Sequence, residues 1–282
     1  MPGRRHLKQV AALVAATLAL AACDRTAETY RKYTDILQFE GKLRTELSPP
    51  DAQFSNDDLA RNFEKIALNR EYRREDEALI EETTPTRLSR WEKPVRYRIM
   101  GGAVTQADLT EYEAFATRLS GLTGLDIAED DEDPNLTILI LGPEERRAFI
   151  RQLQATGADQ RMPLVVEWAR DISYPCVGQV GYEDTETGLI SGAMIVIKGE
   201  LEGVLRQSCI HEELTQTLGL MNDDQGVRPS IFNDDQEFAL LTAHDEYLLR
   251  ILYDPRLRPG MEAVEAQPLV WRIIEELRPG GA

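Results

Sequence analysis

The stretch CIHEELTQTLGLMND, Cys209 to Asp223, decides how the rest of the chain is read. Together with the residues before it, it places Leu201, Val204, Leu205, Ile210, Leu214 and Leu218 at helical intervals, none more than five positions from the next. That spacing predicts a helix over 201–220 with one broad buried face. The polar residues on this helix and just after it are His211, Glu212, Glu213, Gln216, Asn222 and Asp223, all of types that hold metals or move protons. Successive helical residues project about 100° apart, so His211 and Glu213 do not readily share a proton. His211, beside two carboxylates, is expected to have its charged form favoured, or to be a structural histidine bonded to one of them.

Zinc hydrolases often carry H-E-x-x-H, two histidines one helical turn apart with a glutamate that activates the bound water. The chain has three histidines, His6, His211 and His244, and His6 lies in the leader described below. A three-histidine zinc site within one mature chain is therefore excluded. Four residues after His211 stands Thr215, so that frame fails; a frame shifted by one residue gives E-E-x-x-Q-x-x-G-x-x-N on Glu212, Glu213, Gln216, Gly219 and Asn222. This has the spacing of the long metzincin motif. Downstream, SIFNDDQEFALLTAHDEYLLRILYD (Ser230 to Asp254) resembles the metzincin Met-turn and final helix, with Phe232 at the methionine's place. The resemblance spans Trp91 to Asp254. It implies an α+β, zincin-like mixed sheet, an active-site-type helix and C-terminal helices, with the ligand histidines replaced.

The chain as a whole resembles domain-of-unknown-function family 2927, through FSNDDLARNF, RWEKPVRYRI, HEELTQTLGLMNDD and the run from Ser230 to Met261. Under the metzincin frame Glu213 is the candidate general base, with His211 beside it. Glu212, Gln216, Asn222 and Asp223 form a candidate metal set rich in oxygen, which suits calcium or another divalent ion better than zinc. The two readings are a non-catalytic binding protein, a pseudo-peptidase whose former substrate cleft takes an envelope protein or polymer, and a metal-dependent hydrolase with a non-standard site. A third is a purely structural envelope protein. No serine-hydrolase elbow and no phosphate loop is present in the sequence.

At the N-terminus Arg4, Arg5 and Lys8 precede an apolar run of eleven residues, Val10 to Leu20, too short to span a membrane as an ordinary helix. It ends in LAAC, Leu20 to Cys23, which resembles the bacterial lipobox. This implies cleavage after residue 22, lipid on Cys23 and a periplasm-facing, membrane-anchored protein; Asp24 after the cysteine favours the inner membrane. Removal of residues 1–22 takes away three positive charges, so the formal charge moves from −17 to −20. That acidity argues against nucleic acid as a partner. The two remaining cysteines, Cys176 and Cys209, are expected to pair in an oxidising compartment.

The rest divides into a polar tether over 23–53, an N-terminal helical extension over 54–90 and a metzincin-like domain over 91–282. Ser55 or Asn56 caps a helix through Leu59, Phe63 and Ile66. The charged run after it, Arg70 to Trp91, reads as a connector. PVRYRIM and NLTILILG read as strands, and CVGQVGY and GLISGAMIVIKG as a pair joined by EDTETG. Thr105–Leu122 reads as a helix, and PEERRAFIRQLQATG as another, from Pro143 to Gly157. Helical segments follow at Thr242–Tyr253, capped by Thr242 with Asp245, and at Met261–Leu277.

Overall fold

The sheet of this protein separates two apolar clusters, and the alternation of its strands shows why. The computed structural model describes residues 26–75, 78–184, 186–233 and 235–281. The lipobox and Cys23 lie outside them. In β5 (Leu136–Leu141), Leu136, Ile138 and Ile140 enter the main core while Leu139 and Leu141 enter a smaller one. The same split in β7 (Ile190–Lys198) sends Ile195 and Ile197 one way and Val196 the other. Side chains of a strand point alternately to opposite faces, so a run apolar at every position is buried on both.

Five strands form this sheet in the order β4 (Ile127–Glu129), β3 (Val95–Met100), β5, β7, β6 (Cys176–Tyr182). β3 is parallel to β4 and β5, and β5 to β7, while β6 runs antiparallel to β7 and leaves one edge of the sheet without a described strand beside it. Helix α3 (Gln106–Thr123) packs with α6 (Gly203–Gln216) on the main-core face. Helices α4 (Pro143–Thr156) and α5 (Pro163–Arg170) cover the other face around Trp168. Helices α7 (Ala243–Leu252) and α8 (Ala263–Leu277) complete the main core.

Local chemistry sets the helix starts. Ser55, Thr105 and Thr242 each accept from the backbone N–H three residues on, and Asp58, Asp108 and Asp245 each reach back to the cap's own N–H. These reciprocal bonds satisfy helix-end donors that have no partner within the helix. Pro143 opens α4, and Gly157 closes it in the left-handed conformation.

The part of the chain before residue 91 differs from the expected division. The sequence points to a tether over 23–53; from residue 26 the structure instead has a helix, α1 (residues 26–39), then an extended segment packed onto the domain. Tyr30, Leu37, Leu43 and Ala52 belong to the main core. The Tyr30 hydroxyl donates to the Ile172 carbonyl at 2.7 Å, and the Leu43 and Arg44 amides donate to the carbonyls of Gln236 and Glu237 at 2.9 and 2.8 Å. The run expected as a connector is a hairpin, β1 (Asn69–Glu75) and β2 (Ala78–Pro85). It follows α2 (Asn56–Ala67), whose Leu59, Phe63 and Ile66 share the main core with Ile273 and Ile274 of α8. No boundary in the core corresponds to residue 91. Among the described residues no helix is long and apolar enough to cross a membrane.

Candidate binding cleft

Helix α6 is fixed at both ends and in the middle. At its start, Arg206 pairs with Asp108 at 2.8 Å and donates to the carbonyls of Leu201, Ala103 and Gly199. In the middle, Cys209 is disulfide-bonded to Cys176 at the start of β6, with 5.9 Å between the Cα atoms. At its end, the carbonyls of Thr217 and Leu218 accept from the Trp91 indole and the Tyr253 hydroxyl at 2.8 and 2.7 Å. Gly219 then turns the chain at φ 120°, and a Cβ there would lie 2.0 Å from the Ser89 carbonyl oxygen. Only glycine takes that conformation at that approach without displacing backbone.

The polar residues of α6 part into two groups on different sides of the helix. His211, 4% exposed, points toward α3. Its Nδ1 accepts from the Leu241 amide at 3.1 Å, its Nε2 lies 2.9 Å from Glu111 Oε1, and its ring stacks on Phe115 at 3.9 Å. An amide donating to Nδ1 puts the ring proton on Nε2, where it is donated to the Glu111 carboxylate. Burial lowers the His211 pKa against the opposing pull of Glu111. This differs from the expectation of a favoured charged form, because desolvation outweighs the single carboxylate that reaches the ring. His244 is also fully buried, between Asp245 and Asn62, with Phe54 edge-on to its ring.

Glu212, Glu213 and Gln216 face the other way, into a cavity of about 200 Å³ between α6 and β6. Glu71 and Tyr72 of β1, Leu164 of α5 and the 221–223 loop close its sides. Gln216 donates to Asp223 Oδ1 at 2.9 Å. Glu213 is 5% exposed and its Oε2 has no hydrogen-bond partner. Burial pushes its carboxyl well above the usual carboxylate range, and the like charges of Asp223 and Glu71 push the same way, against a backbone hydrogen bond from Gly178. Gly178 of β6 lies directly over it: a Cβ there would come 2.9 Å from Glu213 Oε2. Asn222 is not in this group; its side-chain amide donates to the Lys65 carbonyl at the end of α2.

Of the expected site residues, the structure brings Glu212, Glu213, Gln216 and Asp223 to one cavity and places His211 and Asn222 elsewhere. Glu71, Tyr72 and Gly178 were not legible as site residues, since their strand positions say nothing of which helix they meet. Of the expected metal set, Glu212, Gln216 and Asp223 line one cavity and Asn222 does not, and among the described residues no group of three or more histidine, cysteine, aspartate or glutamate side chains is placed to hold a metal ion. A larger cavity, about 500 Å³, lies across α6 beside Arg206, which is paired with Asp108, and Glu111, which accepts from His211.

A family model described as a protein of unknown function, DUF2927, matches residues 56–272, more than half of the chain. The chain belongs to the DUF2927 family. No curated protein and no solved structure matches it. The DUF2927 match takes in every residue of the cavity, both cysteines of the disulfide and the β1–β2 hairpin.

Proposed function

We propose that this DUF2927 chain is a lipoprotein of the cell envelope, anchored through lipid on Cys23, whose metzincin-like domain binds extended polypeptide in the α6–β6 cleft without cleaving it. The lipobox supports the anchoring and the periplasm-facing location. The strand order β4-β3-β5-β7-β6, the helix α6 following β7, and Phe232 buried in a turn before α7 support the metzincin-like reading.

The observation that carries the function is the free edge of β6 along the cleft. The Ala193 amide donates to Asn135 beside β5, and Val180 and Gly178 stand opposite Ala193 and Ile195 in the antiparallel register. Opposed residues of such a pair alternate between bonded and unbonded. Val180 and Gly178 therefore turn their own backbone groups away from β7, the Gly178 N–H toward the Glu213 carboxyl and the Val180 groups to the edge, where an extended chain can add as a further strand. Catalysis has less support: His211 is held by three neighbours away from the cleft, and Asn222 donates to the Lys65 carbonyl outside it.

The test is fluorescence anisotropy of extended, capped peptides with the purified protein, alongside elemental analysis and a cleavage assay. Binding without cleavage or stoichiometric metal is expected, and backbone N-methylation of the peptide is expected to abolish it. Peptide cleavage that requires a bound metal and disappears in Glu213→Gln would replace this reading with the hydrolase.

A further inference from the structure

We infer that the α6–β6 cleft selects a basic side chain, lysine or arginine, on the polypeptide that lies along β6. This rests on the binding reading above and names what that cleft recognises.

Charge comes first. Glu71, Glu212, Glu213 and Asp223 reach the cavity from β1, from α6 and from the loop after it, and its described lining holds no lysine, arginine or histidine. Acidic residues alone would mark only a solvated surface. Glu213 is different: it is more than nine-tenths buried, it lines the cavity, and Oε2 lacks any hydrogen-bond partner. Buried polar atoms are nearly always bonded, so an unmade bond at a cavity floor points to a donor that arrives with a ligand.

Shape narrows the donor. Leu164, Leu205, Met221 and Tyr72 give the cavity apolar wall, suited to an aliphatic stem with a charged head. The backbone above Glu213 belongs to Gly178: a Cβ there would lie 2.9 Å from Glu213 Oε2 and 3.2 Å from Thr217 Cγ2, so only glycine lets the strand edge pass this close over the carboxyl. A metal ion would need its oxygens gathered around one point, and these carboxyls are not so placed. An ammonium or guanidinium carries several N–H donors and can bond to separated oxygens.

The experiment uses the full chain and fluorescent capped peptides that differ only at a central residue, lysine, arginine, norleucine or glutamate. Lysine and arginine peptides are expected to bind at least about ten-fold more tightly than norleucine, in line with a charge-assisted hydrogen bond to a buried carboxyl that releases its proton to solvent when the cation arrives. Glu213→Gln, checked for folding by thermal melting, is expected to remove most of the preference for lysine and arginine over norleucine. Equal binding of lysine and norleucine peptides by the wild type would overturn the inference and leave the polypeptide-binding reading standing, whether or not the variant folds. If no peptide binds, the binding reading falls, and calorimetry with cadaverine decides the inference: heat that depends on Glu213 upholds cation recognition, and no heat overturns it. Displacement of the lysine peptide by stoichiometric calcium or manganese would also overturn it, in favour of a metal site.

Discussion

Glu213 shows how one buried oxygen sets the behaviour of a residue whose type is common. Its folded pKa is raised above the ordinary 4.5, chiefly by desolvation. A raised carboxyl contributes stability that is fully present below the unfolded value and is lost as pH rises through the folded value. In this window the unfolded glutamate is ionised while the folded one keeps its proton. The wild type should therefore lose stability relative to Glu213→Gln as pH rises above about 4.5, by up to about 1.4 kcal/mol per pH unit until the folded group ionises. Melting curves of the two proteins from acid to mildly alkaline pH check this; parallel curves would mean that Glu213 is solvated. The metzincin frame separates Glu213 from Glu212 by role, but nothing in HEELTQ says which of the two is buried. The difference arises because one projects toward Gly178 and the 5%-exposed floor, the other toward the rim beside Tyr33, whose pKa rises partly through the charge of Glu212.

At the scale of elements, α6 and β6 form the cleft and Cys176–Cys209 joins them. The bridge spans 33 residues, and closing such a loop stabilises by roughly 3–4 kcal/mol on the chain-entropy model. Cys176→Ser with Cys209→Ser should lower the unfolding free energy by about that amount in denaturant titration; a change under about 1 kcal/mol would mean that Arg206, Trp91 and Tyr253 hold α6 by themselves. The helices were the legible elements. α3, α6, α7 and α8 have apolar residues at helical spacing, and Thr105 and Thr242 announce their starts through capping-box acids. The hairpin was not legible. Arg70, Glu71, Arg73, Arg74, Glu75, Asp76 and Glu77 break any apolar alternation, and strand pairing in such a segment leaves no period-two hydrophobic signal. Yet this hairpin supplies Glu71 and Tyr72 to the cleft.

For the whole molecule, the first described residues are part of the fold that carries the cleft. Arg44 and Arg228 share Asp51 and Glu237, tying the extended N-terminal segment to the loop before α7. Tyr30 and Leu37 add apolar burial to the same attachment. Removing residues 1–54 should uncover this part of the core and lower the melting temperature by several degrees, since even about 1 kcal/mol shifts a domain of this size by about 2–4 °C; an unchanged melting temperature would return the segment to the role of a tether. Local order set much of what could be read in advance: helix positions from periodicity and caps, the strands of the main sheet from continuous apolar runs, and the cysteine pair from count. These depend on neighbours in the chain. Tertiary structure alone decided which polar residues of α6 share a cavity, that Gly178 lies over Glu213, that β1 closes one side, and that α1 packs against the domain. Those facts depend on contacts between segments far apart in sequence, where burial and the absence of a partner, not residue type, set the chemistry.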